Sequence, residues 1–98
     1  MGKLREQQSE FAKAVGLLIL FAYQKDYEIT FGDAYATSGH IDNSFHYKRL
    51  AIDINLFKDG VYLTLNEDHE PLGLFWESIG GTWGGRWQDG NHYSWGEE

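Results

Sequence analysis

Leu50-Ala51-Ile52-Asp53-Ile54-Asn55-Leu56-Phe57 is the stretch that decides the fold. It alternates cleanly, with Leu50, Ile52, Ile54 and Leu56 on one side and Ala51, Asp53, Asn55 and Phe57 on the other. That period of two predicts a strand with one buried face. Lys58-Asp59-Gly60 follows as a hairpin signal, and Val61-Tyr62-Leu63 reads as the returning strand. Upstream, Tyr27 to Phe31 also alternates and is rich in strand formers.

The flanks read as helix. Residues from Leu4 to Tyr23 form one helical stretch, with Phe11, Val15, Leu18 and Ala22 on a common face. Leu17, Ile19, Leu20 and Phe21 widen the stripe, so the C-terminal end of this helix is expected to be buried on most sides. A short helix is expected from Pro71 to Ser78, because proline is tolerated in a first helical turn, and Gly80-Gly81 stops it. The segment from Gly80 to Gly96 is dominated by glycine and tryptophan, and most of its tryptophans are expected in the core. The expected fold is α+β: one domain over residues 1–98, with an N-terminal helix packed on a small, mainly antiparallel sheet.

Composition narrows the function. The chain has 98 residues, enough for one modest core. With 42% hydrophobic and 16% aromatic residues, it is too apolar to be disordered. There is no cysteine, so a transition metal must be held by His, Asp or Glu. The net charge of −7 disfavours nucleic acid and anionic membrane as partners, and the acidic chain is expected to be a soluble monomer. The apolar run Ala14 to Tyr23 is too short to span a bilayer. Glu6, Glu10 and Lys13 break the pattern of a signal peptide, so none is expected.

Asp53 is the first residue that asks for a reason, since aspartate is disfavoured in strands. By itself it reads as a solvated residue on an open sheet. His46 lies seven positions upstream in a loop, His92 lies far downstream, and Asp89 stands three residues before His92. Two histidines and a carboxylate make a known zinc set that leaves a position for water. Zinc brings the pKa of such a water towards about 7, and a nearby carboxylate can move its proton. Spacing alone leaves both readings open.

A resemblance sharpens the choice. Ser44-Phe45-His46-Tyr47-Lys48-Arg49-Leu50-Ala51-Ile52-Asp53 resembles the S-x-H-x-x-G-x-A-x-D signature of zinc D-alanyl-D-alanine carboxypeptidases and the related phage L-alanyl-D-glutamate endopeptidases. Asp89-Gly90-Asn91-His92-Tyr93 resembles their second signature. The stretch from Gly32 to Tyr93 looks most like short phage-encoded members.

The resemblance implies a zinc-dependent peptidase that hydrolyses the stem peptide of peptidoglycan, at an L-Ala-D-Glu or D-Ala-D-Ala type of bond. It implies one Zn2+ held by His46, Asp53 and His92, with Asp89 as general base and acid. Ser44 is implied near the metal loop and Trp87 in the cleft wall. It also implies a phage enzyme made in the cytoplasm and acting at the cell wall.

Two positions depart from the pattern. Arg49 replaces the signature glycine, although its charge can meet a substrate carboxylate. Ala36 stands where the phage sequences carry an arginine expected to steady the oxyanion, and losing one such donor costs about 3 kcal/mol. Arg49, Lys48 and Arg86 are the candidate substitutes. A second reading therefore stands beside the first, a weakened or inactive zinc-containing module that binds wall peptide. A third is a structural protein in which these residues are relics.

Other features have plainer readings. His40 and Asp42 sit in a polar loop, and Asn66 to Glu70 reads as a solvated turn leading into a helix. Neither a phosphate-binding loop nor a G-x-S-x-G elbow is present.

Overall fold

The computed structural model describes residues 2–32 and 49–96. Helix α1 spans Lys3–Gln24, followed by strand β1 at Glu28–Phe31, β2 at Ala51–Lys58 and β3 at Val61–Leu63. A single tight helical turn, Asn66–His69, leads into helix α2 at Glu70–Ser78. Strand β4 at Thr82–Trp83 and strand β5 at His92–Ser94 are separated by a second tight turn, Gly84–Trp87. The class is α+β, with an N-terminal helix on a small antiparallel sheet.

The alternating stretch is the centre of the sheet. β1 pairs with one edge of β2 along Ile54 to Phe57. On the other edge β3 pairs with Leu56 to Lys58, and β5 pairs with Ala51 to Asp53. All these pairings are antiparallel, and β4 adds outside β5. The β2–β3 hairpin turns through Asp59 and Gly60, both at positive φ (53° and 78°). That is the turn whose twist suits a tight hairpin.

Ile52, Ile54 and Leu56 point into the core, where they meet Phe11, Leu18 and Ala22 of α1 and Leu72 and Trp76 of α2. Burying such side chains contributes about 1.5–3 kcal/mol each. Trp76 and Trp83 are buried; Trp76 donates its indole N–H to the Ser94 carbonyl at 2.9 Å, and Trp83 donates to the Gly90 carbonyl at 2.7 Å. These bonds tie α2 to β5 and β4 to the turn ahead of β5. Gly73 and Gly85 lie against the Trp83 ring, where a Cβ would come within 2.1 Å of it.

One expectation is corrected. The C-terminal end of α1 is not buried on most sides, since Leu17, Leu20 and Tyr23 are 42%, 60% and 49% exposed. The core buries the stripe of Phe11, Ala14, Leu18 and Ala22, and Phe21 stacks on Phe75 of α2 beside it. No helix among the described residues is long and apolar enough to cross a membrane.

Candidate active site

Alternation along β2 turns Asp53 away from the core, between buried Ile52 and Ile54. The β2–β5 register puts His92 directly opposite Asp53. Facing residues in an antiparallel pair share a side of the sheet, so both side chains lie on the side turned away from the core. His92 Nδ1 stands 3.6 Å from Asp53 Oδ1, with the side chains 14% and 24% exposed. Two ligands bound about 2.0–2.2 Å from one tetrahedral zinc stand about 3.4 Å apart. An imidazole and a carboxylate at the observed spacing therefore fit two corners of such a site.

Asp89 reaches this place through a turn. The His92 N–H donates to the Asp89 carbonyl at 3.1 Å, and the Asp89 N–H donates to the Gly84 carbonyl at 2.9 Å. The D-x-x-H spacing is thus a closed turn that brings the exposed Asp89 beside the strand carrying His92. Asn66 braces the same segment by donating its side-chain N–H to the Gly85 carbonyl at 3.1 Å. Trp87, 51% exposed, holds its ring 6.3 Å from that of His92.

His46, Ser44 and Ala36 lie outside the described residues, as do Lys48, His40 and Asp42. Among the described residues no group of three His, Asp or Glu side chains gathers.

A family model described as D-alanyl-D-alanine carboxypeptidase matches residues 37–95, more than half of the chain. The chain belongs to this family. No curated protein matches it. Membership makes it a peptidase of the class that acts on peptidoglycan, and such carboxypeptidases are in general zinc-dependent. The matched segment includes His46, Asp53, Asp89 and His92.

Two departures from the carboxypeptidase signature now have physical content. Arg49, in the place of the glycine, adopts φ = 60° just before β2. That left-handed conformation costs an ordinary residue about 1–2 kcal/mol more than glycine, which explains why glycine suits the position. Arg86, a candidate substitute for the arginine absent at Ala36, is already engaged. It grips Glu77 through two N–H groups at 2.8 and 2.6 Å. The hydrogen bond from Arg86 holds the Glu77 carboxyl below its ordinary value.

Reading the sequence missed His69. It is buried at 4% exposure, and its Nδ1 lies 2.8 Å from the hydroxyl of Tyr93, the neighbour of His92. Burial lowers its pKa to about 4, against the opposing pull of Asp68. Burial likewise pushes the Tyr93 phenol up. The expectation of a solvated turn at Asn66 to Glu70 is therefore corrected at this residue. The available signal was its spacing: His69, Leu72 and Trp76 continue one buried helical face.

Proposed function

We propose that this chain is a zinc peptidase that hydrolyses an amide bond in the stem peptide of peptidoglycan. His46, Asp53 and His92 hold one Zn2+, and Asp89 moves the proton. The observation that carries the reading is the pairing of Asp53 with His92 across β2 and β5, inside the segment matched by the family. Bound zinc supplies a Lewis acid for the carbonyl and a water acidic enough to attack near neutral pH.

The protein's own share follows from the sheet and the turn. Asp53 and His92 come from paired strands, so the backbone ladder fixes their spacing without a loop. Their partial burial strengthens electrostatic interactions in that corner. Asp89, exposed on the adjoining turn, accepts the water's proton and returns it to the leaving amine. Trp87 offers an aromatic wall beside the reacting centre. The proposed setting is wall lysis by a phage-type enzyme, with a bond of the L-Ala-D-Glu or D-Ala-D-Ala kind.

The engagement of Arg86 by Glu77 favours one second reading. With Ala36 in place of arginine and Arg86 committed elsewhere, the chain is a zinc-containing module that binds wall peptide and turns it over weakly. One experiment separates the readings. The purified chain is analysed for metal and incubated with peptidoglycan, beside Asp89→Asn. About one zinc per chain, with cleavage that falls about 10²–10⁴-fold in the variant, supports the peptidase. Zinc with peptide binding but no cleavage supports the module. A chain that takes up no zinc rules out both.

A further inference from the structure

Helix α1 gives one face to the core and leaves the opposite face in water. Arg5, Ser9, Ala12, Gly16, Leu20 and Tyr23 fall at i, i+4, i+7, i+11, i+15 and i+18, which makes one stripe along the helix. All six are exposed. The stripe lies opposite Phe11, Ala14, Leu18 and Ala22, which enter the core.

The exposed stripe changes size half-way along. Ser9, Ala12 and Gly16 are small, whereas Leu20 and Tyr23 are large and stand 60% and 49% exposed. A Cβ on Gly16 would meet nothing within 4 Å, so no neighbour in the chain requires glycine there. Glycine also weakens a helix interior relative to alanine. Beside the large half, a groove of about 250 Å³ runs between α1 and β1, lined by Ile19, Tyr23, Ile29 and Phe31.

Charge follows the same division. Arg5 lies along the small half, where it donates to the Ser9 hydroxyl at 2.7 Å, and Lys13 borders it. Glu6 and Glu10 are turned about 80° or more from the stripe. At the other end, Tyr23, Tyr27, Asp26, Glu28 and Asp59 wall a hollow of about 460 Å³. Lys58 lies 4.7 Å from the Tyr27 ring and offsets one of the three carboxylates. Lys25 is drawn off towards Phe21, 5.7 Å from its ring. The hollow therefore keeps an excess of negative charge.

A stripe that is small and basic at one end, large and acidic at the other, is complementary to itself turned end for end. We infer that this face pairs with α1 of a second copy of the chain, antiparallel about a two-fold axis near Gly16. Leu20 of each copy then packs on Ala12 of the other, and Tyr23 on Ser9. The small half of one helix lies along the apolar groove of the other, and Arg5 meets the acidic hollow. Glycine at the crossing lets the two helices approach closely, since side chains at the contact set their separation. Asp53 and His92 lie on the side of the sheet turned away from the core, and α1 lies on the core side, so both copies keep that corner open. The inference holds whether or not the chain cleaves peptide. The net charge of −7 opposes association at long range, so the paired form should grow in with concentration.

Light scattering and sedimentation of the full chain from about 1 to 500 µM test this. The expected mass rises from 11.3 kDa towards twice that value. Gly16→Arg and Leu20→Glu should each raise the dimer Kd by at least about 10-fold. Gly16→Arg should keep the fold, because its Cβ enters open space and arginine is a better helix former than glycine. Circular dichroism checks that point, so lost pairing is not mistaken for lost folding. Arg5→Glu should also weaken the dimer, and adding Glu28→Lys should recover at least part of the loss. A chain that stays at 11.3 kDa across the range overturns the inference and leaves the face to some other partner. A dimer that persists in Gly16→Arg and Leu20→Glu overturns it equally, since the copies then meet elsewhere. Failure of the charge swap to recover any pairing overturns the antiparallel arrangement.

Discussion

His92 Nδ1 faces Asp53 Oδ1 at 3.6 Å across two hydrogen-bonded strands, whose register holds the two backbones opposite each other. That spacing predicts how metal uptake responds to mutation. Asp53→Ala or His92→Ala should lower zinc from about one per chain to a small fraction, since each removes a ligand. Added zinc should raise the Tm of the parent, because a ligand bound only to the native state stabilises it. It should leave the Tm of either variant in place. Elemental analysis and thermal melts with and without zinc check both statements, and a variant that keeps tight zinc removes that residue from the set.

Arg49 sits at φ = 60°, which sets up a clean comparison. Arg49→Gly and Arg49→Ala both lose the guanidinium and its stem, and differ in tolerance of the left-handed backbone and in the freedom of the unfolded chain. Glycine gains about 1–2 kcal/mol there and gives back about 0.4–1 kcal/mol through its freer unfolded chain. Arg49→Gly should therefore be the more stable by roughly 0.5–1 kcal/mol, read from urea midpoints at equal m-value. Equal stabilities would mean that the conformation at this position is not the reason glycine belongs there.

These two positions also mark how far the sequence reaches. The alternation of Leu50 to Phe57 was legible because one face of β2 is buried, and burial writes a period of two into the residues. The direct facing of Asp53 and His92 was not legible in the residues. Register depends on the turn from Asp89 to His92, which spacing does not encode. His69 was hidden by Glu67, Asp68 and Glu70, charged neighbours that read as solvated while the tight turn swings the imidazole inward. The exposure of Leu17 and Leu20 was hidden for the opposite reason. Apolar residues around a helix say nothing about how much protein there is to cover them. The grip of Glu77 on Arg86 joins α2 to the turn after β4, a tertiary contact with no local signature.

Gly84 lies beneath the turn that carries Asp89. A Cβ at this position would come within 2.3 Å of the Asp89 carbonyl oxygen and 2.9 Å of His92 Cβ. Both neighbours are held, one by backbone hydrogen bonds and the other by the β2–β5 ladder. Gly84→Ala should cost about 1–3 kcal/mol of stability, as overpacking does. It should also lower wall-peptide cleavage more than Gly16→Ala, where a Cβ meets nothing within 4 Å. Zinc titration and turnover of the two variants side by side provide the check; equal activity would mean that the turn shifts freely.

The buried His69 makes stability depend on pH, and the sign follows from its lowered pKa. Its folded pKa is about 4, below the ordinary value of 6.5. Between those values the unfolded chain binds the proton and the folded one does not, so acidification favours unfolding. The contribution is in full force above about pH 6.5 and is lost as pH falls towards 4. At pH 5 the loss relative to pH 7 is on the order of 2 kcal/mol. Asp68, the charge that partly offsets the burial, works against the loss while it stays ionised. His69→Asn has no such proton to take up. Its urea midpoint should fall less than the parent's between pH 7 and pH 5, by roughly that difference in free energy. Parallel pH profiles for parent and variant would mean that the imidazole titrates in the folded protein as it does in water, and that it is not shut in beside Tyr93.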